Sequence, residues 1–450
     1  MNRAANIAAY EEKKLQLIAT LQYLPGDTIR LVKDTSNLFR ERKPSQGPGL
    51  NVRAFNKVIH VNPDEGFAEV EGMTPYADLT RECLKHGVMP TVVPQLKSIT
   101  IGGAVTGIGI ESSSFKYGLV HETVQEMDIL LGDGTILTCT PENEHQRLFF
   151  GFPNSYGTLG YVLKLKIKVV PVKPYVQLTH ILHTDAAAYF ADLEYRCTQQ
   201  VDFIDGTIFG PKEYYVTVGK FKDSAPYTSD YTYKNIYYHS IRNRDTDFLR
   251  VEDYIWRWDT DWFWCSQYIF AHKPIIRRLL GSKRLNSVTY TRIMRWNRKY
   301  KIAHYWDLLR GFHSEAVIQD VEIPLERCAE FIDFYFNSIR FTPVWICPIR
   351  PRDNKAGFSL YPMDPATLYV NFGFWNVIKN RKKMGPGHYN RLVEKKVSEL
   401  GGMKSLYSDA YYSPEQFWDI YNKDEYFSLK KHYDPKGQFK DLYAKCVLHE

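Results

Sequence analysis

The sequence lacks the patterns of three common classes of protein, namely disulfide-rich, zinc-binding and membrane-spanning chains. Its seven cysteines are an odd number, widely scattered and without a CxxC pair, so neither a disulfide framework nor a metal site is predicted. No stretch approaches the roughly 18 apolar residues of a spanning helix, and residues 1–23 are too polar for a signal peptide. We therefore expect a reducing, cytoplasmic setting, free thiols and no transmembrane helix.

A strong excess of one charge sign is missing too. The chain carries 58 Lys and Arg against 51 Asp and Glu, a net charge of +7, so a basic partner surface is expected only locally. Low-complexity tracts and internal repeats are absent as well. Aromatic residues, in contrast, are abundant, with 32 Tyr and 25 Phe, which indicates a large apolar pocket in addition to a core.

Hydrophobic periodicity and turn signals predict an α+β chain of 450 residues in two domains. The predicted strands lie at 29–32, 58–61, 67–71, 124–131, 135–140, 163–169 and 368–374. The predicted helices lie at 11–24, 75–87, 142–150, 389–400 and 414–419. Pro171 and Pro174 mark a boundary after which aromatics dominate and glycine thins. We therefore predict one domain from residues 1–172 and 403–450, and a second from residues 173–402.

The segment 102–118, which reads GGAVTGIGIESSSFKYG, combines five glycines with three consecutive serines. Glycine lets a backbone approach a ligand closely and reach positive φ, while N–H groups and hydroxyls bind anionic oxygens. The segment therefore predicts a pyrophosphate-binding loop, with a tight structural loop as the alternative. It leads into a strand and does not open a helix as a nicotinamide-type GxGxxG motif does. The residues assigned to the ligand are Gly102, Gly103, Gly107, Ser112, Ser113, Ser114, Tyr117 and Gly118.

The order of these elements resembles the flavin-binding domain of the vanillyl-alcohol-oxidase/p-cresol-methylhydroxylase (PCMH) superfamily. The segments most similar to its delta-24-sterol reductase branch are IESSSFKYGL, LLGDGTILTCTP, GTLGYVLKLKIKVVPVKPYV, VIQDVEIPLERC and LYSDAYYSPEQFWDIY. The resemblance covers roughly residues 30–445 and is loose over about 180–310. It implies an α+β, two-domain FAD-binding fold of the PCMH type, in which an α+β cap domain lies over the flavin.

The resemblance also implies further cofactor contacts by position. On the first polar loop, Lys33, Thr35, Ser36 and Asn37 are expected to meet the pyrophosphate, with an ordinary Asx or Ser turn as the alternative. At the adenosine end the expected residues are Gly157, Thr158, Gly160 and Val162. Covalent attachment of a flavin needs a His or Cys near the ring, and His121 is the nearest candidate. We expect non-covalent FAD.

The branch implies reduction of a C=C bond in a hydrophobic sterol- or isoprenoid-like substrate, with NADPH as the electron donor. Such a reaction needs hydride from the flavin and a proton from an acid. The candidate acids are Asp409, Tyr407, Tyr411 and Glu111. The alternative for the first three is a turn cap and packed rings.

Two other functions stay open at this point. An oxidase or dehydrogenase of an alcohol or hydroxy acid would need a base and a cationic clamp, for which Arg350 and Arg352 are candidates. A non-catalytic, membrane-associated lipid-binding protein would retain the flavin loop without turnover.

The segment Tyr254–Lys299 has an unusual composition. It holds five tryptophans and ten Lys or Arg, opposed only by Asp259 and Asp261. Tryptophan beside basic residues suits the headgroup layer of an anionic bilayer, which predicts peripheral membrane contact. A packed helix with a solvated charged face is the alternative. No nucleic-acid-binding fold accompanies the segment, so no nucleic-acid partner is expected.

Overall fold

The computed structural model describes residues 3–23, 28–33, 39–40, 49–300, 302–352 and 357–449. Its architecture is two antiparallel sheets with surrounding helices and a small parallel strand pair. The predicted α+β class is therefore confirmed.

The first sheet is built from strands between residues 58 and 171. The strands of this part of the chain are β1 (Arg30–Val32), β2 (Gly49–Asn51), β3 (Val58–Asn62), β4 (Phe67–Glu71), β5 (Val88–Pro90), β6 (Val124–Leu130), β7 (Ile136–Cys139) and β8 (Tyr161–Pro171). The order in the sheet is β3-β4-β8-β6-β7, with β5 paired to β8, while β1 and β2 form the parallel pair. In β8, Leu163, Leu165 and Ile167 are buried and the lysines between them are not, which is the alternation of a strand with one face in the core.

Helices around the first sheet differ from prediction in two places. They are α1 (Arg3–Gln22), α2 (Tyr76–Leu84), α3 (Ile101–Thr106), α4 (Ser114–Tyr117) and α5 (Gln146–Gly151). Helix α1 begins eight residues before the predicted start at residue 11. Helix α3 lies where a loop was predicted. The reason is local, because the hydroxyl of Thr100 accepts a hydrogen bond of 3.2 Å from the N–H of Gly103 and so caps a helix despite its glycines.

The second sheet is larger, with eight strands. Its strands are β9 (Tyr175–His183), β10 (Phe203–Gly210), β11 (Glu213–Lys222), β12 (Thr246–Arg250), β13 (His313–Pro324), β14 (Val344–Ile349), β15 (Tyr369–Asn380) and β16 (Met403–Lys404). Their order is β12-β9-β11-β10-β14-β15-β13-β16. The helices of this part are α6 (Ala186–Cys197), α7 (Tyr237–Ser240), α8 (Val251–Ile255), α9 (Pro274–Leu280), α10 (Ser287–Tyr300), α11 (Ile302–Leu309), α12 (Cys328–Ser338) and α13 (His388–Glu399).

After β16 the chain returns to the first sheet. The last helices are α14 (Pro414–Ile420), α15 (Lys423–Tyr433) and α16 (Leu442–Cys446). Helix α15 packs against α5, and the Arg147 guanidinium donates two hydrogen bonds, of 2.8 and 2.7 Å, to Glu425. The ammonium group of Lys430 donates to the carbonyl of Thr158 at 2.8 Å.

The tryptophan-rich segment lies mostly inside the protein. Trp256, Trp258, Trp262 and Trp264 are all buried, whereas Trp296 is 56% exposed. The first four rings belong to the core and do not reach a headgroup layer, which corrects the predicted role of these residues. In the described part of the chain, no helix has the length and apolar content needed to cross a bilayer.

A buried arginine joins the glycine–serine segment to the second sheet. The Arg257 guanidinium contacts Asp205 of β10 at 2.7 Å and Glu111 at 3.2 Å, and all three side chains are buried. The same guanidinium lies over the ring of Tyr254, 4.1 Å from its centroid. Two ion pairs thus fix the position of residue 111 relative to the sheet.

We predict that Arg257→Met lowers the free energy of unfolding by about 3–5 kcal/mol, because it leaves two buried carboxylates without their cation. Arg242→Met is the matched control. Arg242 makes a bidentate pair with Glu213 at the surface, and its loss should cost about 0–1 kcal/mol. Urea unfolding of both variants gives the comparison. Equal, small losses would show that the buried pair does not hold the two parts together.

Candidate active site

A cavity of about 460 Å³ lies where the two sheets meet. Its wall is formed by parts of the chain that are far apart in sequence. They include residues 28–33 and 39–40, residues 94–111, residues 156–163 before and within β8, side chains from the strands of the second sheet, and residues of the segments 262–263 and 405–445. Because no single sheet surrounds it, the cavity exists only when both are packed together.

One end of the cavity is basic. The cations on its wall include Arg30, Lys33, Lys440 and Lys445. The ring of Tyr161 packs on that of Phe439, with centroids 5.0 Å apart. Cations beside aromatic rings suit a ligand with phosphate groups and a flat base.

Between the two ends, the cavity wall is formed by glycines, so backbone atoms are exposed there instead of side chains. A Cβ atom on Gly102 would lie 2.7 Å from the carbonyl oxygen of Gly72, and one on Gly107 would lie 2.8 Å from that of Gly103. Gly157 and Gly160 line the same wall with φ of +75° and +148°, values that L side chains rarely adopt. Side chains at these positions would collide with neighbouring protein atoms, so glycine permits the close packing of backbone that forms this cradle and leaves peptide groups on the wall.

The other end of the cavity is aromatic. Phe263 and Trp375 pack with ring centroids 4.4 Å apart, and Trp345 and Trp262 also line this end. The indole N–H of Trp375 donates to the hydroxyl of Tyr407 at 2.8 Å. These walls bind a flat, apolar molecule and leave few polar groups to direct it.

Asp320 is the carboxyl group that faces this aromatic end. It lies on β13 opposite Gly373 of β15, which in turn pairs with Trp345 of β14. A Cβ on Gly373 would lie 2.6 Å from the Asp320 carboxylate and 2.7 Å from the Trp375 ring. Glycine therefore makes the room in which both side chains sit.

The environment of Asp320 changes its protonation. Burial raises the pKa of Asp320 to about 7, while hydrogen bonds from Asn371 and Tyr407 act in the opposite direction. The amide of Asn371 donates to it at 3.1 Å. A carboxyl group with this pKa carries a proton for part of the time near neutral pH and can donate it.

Sequence reasoning missed Asp320, although a signal was present. Asp320 and Glu322 alternate with apolar residues in the strand sequence AVIQDVEIP, so both acids face one side of a sheet. Burial raises the pKa of Glu322 to about 8, but Glu322 binds Tyr361 and is not on the cavity wall. Two acids at alternating positions of an otherwise apolar strand are rare enough to mark a candidate site.

Two of the four predicted proton donors lie on the cavity wall and two do not. Tyr407 and Glu111 line the cavity, whereas Asp409 and Tyr411 do not. The backbone of the latter two is held against α13, because Lys404 donates to the Asp409 carbonyl at 2.7 Å and the Tyr411 N–H donates to Glu394 at 3.0 Å. Their side chains are thereby kept away from the cavity wall.

Glu111 is engaged by other protein groups. It accepts hydrogen bonds from Gln95 and from Arg257. Burial raises the pKa of Glu111, and the charge of Arg257 opposes that shift. Its contacts suit a residue that fixes the loop.

Seven of the predicted cofactor residues are brought together on the cavity wall. They are Lys33, Gly102, Gly103, Gly107, Gly157, Gly160 and Val162. Thr35, Ser36 and Asn37 lie outside the described residues. The assignment of all these residues to the cofactor stays a prediction.

The hydroxyls of the three serines and of Thr158 face the protein. Ser112 shares a hydrogen bond of 2.9 Å with Tyr254, Ser113 donates to the carbonyl of Thr91 at 2.7 Å, and Ser114 accepts from the Glu111 N–H at 3.1 Å. Thr158 donates to the carbonyl of Ser155 at 2.8 Å. These four side chains shape the loops behind the wall instead of lining it.

The remaining predicted residues also lie off the wall. Lys116 sits over the Tyr117 ring, and Gly118 ends α4 with φ of +77°. His121 is buried beside Phe358, with ring centroids 4.4 Å apart, and burial lowers its pKa to about 3. Among the described residues that line the cavity, none is His or Cys.

Comparison with known proteins identifies a matching domain in the first third of the chain. Residues 7–140 match the family model described as "FAD binding domain". The chain is similar to Delta(24)-sterol reductase of Homo sapiens, at 26% identity over 86% of this chain and 75% of the relative. The Arabidopsis thaliana protein of the same name is 24% identical over 88% and 76%. Cytokinin dehydrogenase 5 of Arabidopsis thaliana is 27% identical over 33% of this chain and 28% of that protein.

The glycine cradle, the basic end and the matched domain point to the same cofactor, FAD, and to an FAD-dependent oxidoreductase. The comparisons support an FAD-binding protein of the vanillyl-alcohol-oxidase/p-cresol-methylhydroxylase superfamily that resembles the delta-24-sterol reductase branch.

Proposed function

We propose that this protein reduces a C=C bond of an apolar sterol- or isoprenoid-like substrate, with NADPH as the electron donor. The observation that carries the proposal is the position of Asp320, a carboxyl group with a pKa of about 7 on an otherwise aromatic wall. The names of the similar proteins support the reaction class.

The residues that would hold FAD run along the cavity. Gly103 and Gly107 would form the backbone cradle, and Arg30 and Lys440 would neutralise the phosphates. The chemistry that FAD supplies when bound is hydride transfer. The absence of His and Cys from the described wall supports non-covalent binding.

The protein would supply the proton. Addition of one hydride and one proton across the double bond consumes one NADPH and one proton from water. Asp320 would donate the proton to the second carbon and regain it from solvent, while Tyr407 and Asn371 hold its carboxyl group in place. An apolar wall around the acid keeps its neutral form populated, which is the form that donates.

The substrate would lie between the tryptophans. Trp262, Trp345 and Trp375 give the cavity flat apolar surfaces, which suit a fused-ring or isoprenoid skeleton better than a charged acid. The two arginines considered for a carboxylate clamp, Arg350 and Arg352, are exposed and do not line the cavity. The geometry therefore favours the reductase over the hydroxy-acid oxidase.

The two halves of the reaction are separable in an anaerobic cuvette. We expect NADPH to bleach the visible absorption of the flavin, and a sterol with a side-chain double bond to restore it. The saturated sterol is the control and should restore nothing. Bleaching by alcohols or hydroxy acids, with no response to NADPH, would replace the proposal with the oxidase.

Gly103→Val should remove FAD binding, because Gly103 lines the cavity and a Cβ there would lie 2.9 Å from the Thr100 hydroxyl that caps α3, so a branched side chain would displace this part of the wall. We expect the flavin-to-protein absorption ratio to fall at least about tenfold, with an unchanged far-UV circular dichroism spectrum. Gly210→Val is the control, since a Cβ there meets nothing within 4 Å and lies away from the cavity. Full flavin occupancy in Gly103→Val would remove this residue from the site.

Asp320→Asn should slow reoxidation of the reduced flavin by the alkene at least about 100-fold. In the parent protein that rate should fall as the pH rises through about 7, because the carboxyl loses its proton there. The rate of the variant should not fall in this pH range, and its reduction by NADPH should be unchanged. Glu322→Gln removes an acid outside the cavity and should keep the fall in rate. A fall in rate that persists in Asp320→Asn would assign the proton to another group.

A further inference from the structure

One surface of the second part of the chain concentrates positive charge. Residues 268–310 contain eleven Lys or Arg and a single acid, Asp307. That segment alone contributes +10, whereas the whole chain carries +7, so the rest of the chain carries −3. Asp307 is buried and paired with Lys379 at 2.7 Å, so it does not weaken the field outside.

The same surface concentrates exposed apolar side chains. Among the described residues, twelve of the twenty large hydrophobic side chains that are exposed lie between residues 268 and 309. The most exposed are Ile275, Leu279, Phe270, Trp306 and Leu309, at 76%, 72%, 60%, 60% and 83%. Soluble surfaces rarely gather so many in one segment, and such a patch marks an interaction site.

Helical spacing aligns these residues into stripes. On α9, Ile275 and Leu279 are four residues apart, and on α11 the residues at 302, 305, 306 and 309 share one face. On α10, Trp296 and Tyr300 lie one turn apart with ring centroids 5.5 Å from each other. Exposed cations flank each stripe, among them Arg278, Arg292 and Lys299.

We infer that the surface formed by residues 268–310 docks on an anionic lipid bilayer. The three helices, of 7, 14 and 8 residues, would lie in the plane of the headgroups with their apolar stripes inserted and their cations on the lipid phosphates. Long basic side chains permit this because their apolar stems follow the hydrophobic surface while the charge stays outside.

Charge decides between a bilayer and a second copy of the chain. A two-fold interface brings the same patch of both subunits together, which would oppose two surfaces that each carry eight exposed cations among the described residues. An anionic surface, in contrast, attracts these exposed cations.

The surface is connected to the cavity. The ring of Tyr290 on α10 stacks on that of Trp262, with centroids 6.3 Å apart and planes 6° apart, and Trp262 lines the cavity. Tyr268 donates to Asn376 on β15, one residue after Trp375. If the proposed function holds, an apolar substrate would pass from the bilayer to the aromatic end over a short distance. Docking itself does not depend on that function.

Sedimentation of the whole protein with vesicles tests the inference without turnover, so its result is independent of the proposed reaction. We expect binding to vesicles of phosphatidylcholine with phosphatidylserine, weaker binding to phosphatidylcholine alone, and loss at high salt. Trp306→Ser/Leu309→Ser and Arg284→Glu/Arg292→Glu should each weaken binding at least about tenfold.

Matched controls come from elsewhere on the surface. Leu15→Ser/Tyr195→Ser removes exposed apolar side chains of 70% and 56% exposure, and Lys212→Glu/Lys220→Glu reverses two exposed charges; both should bind as the parent does. Failure of the parent to sediment with anionic vesicles would overturn the inference, as would equal binding by patch and control variants. A dimer that the patch variants dissociate, with no vesicle binding, would assign the surface to a second copy.

Discussion

The arrangement depends on one buried cation. Arg257 has no access to water, and two carboxylates from different parts of the chain, Asp205 and Glu111, compensate its charge. Because a buried charge without a partner is strongly unfavourable, the glycine–serine segment and the second sheet are held in one relative position. The indole N–H groups of Trp258 and Trp345 also point to Asp205, so the same ion pair orients part of the aromatic wall.

That constraint produces a cavity with two different ends. The basic end, near Arg30 and Lys440, gathers charges that a phosphate-bearing cofactor would neutralise, while the other end is lined by aromatic rings. Burial among these rings raises the pKa of Asp320 to about 7. Cofactor binding, substrate binding and proton donation would thus all depend on one cavity, whose wall changes from basic at one end to aromatic at the other.

Local patterns could be predicted from the sequence, and contacts between distant segments could not. The strand β8 and the helix α13 follow from periodicity, and the glycine–serine segment marks the site because glycine alone permits the close backbone wall. The serine hydroxyls, however, bond to Tyr254 and Thr91, partners that spacing does not reveal. Asp320 gains its environment from pairing across three strands.

The composition of the tryptophan-rich segment also failed to predict where its side chains lie. It indicated a membrane surface, yet Arg257 and four tryptophans are buried inside the protein. Composition does not separate a cation that compensates buried acids from one that faces solvent. The exposed apolar stripes become visible only when burial is assigned residue by residue, and they lie later, between residues 268 and 309.

A crystal structure of the protein with FAD bound is the most direct test of the central claim, that one cavity between the sheets is the active site. The expected result is FAD along the glycine cradle, with its adenine near Phe439 and its ring in contact with Tyr407 and Trp375. FAD bound outside this cavity, or with its ring at the basic end away from Asp320, would contradict the claim.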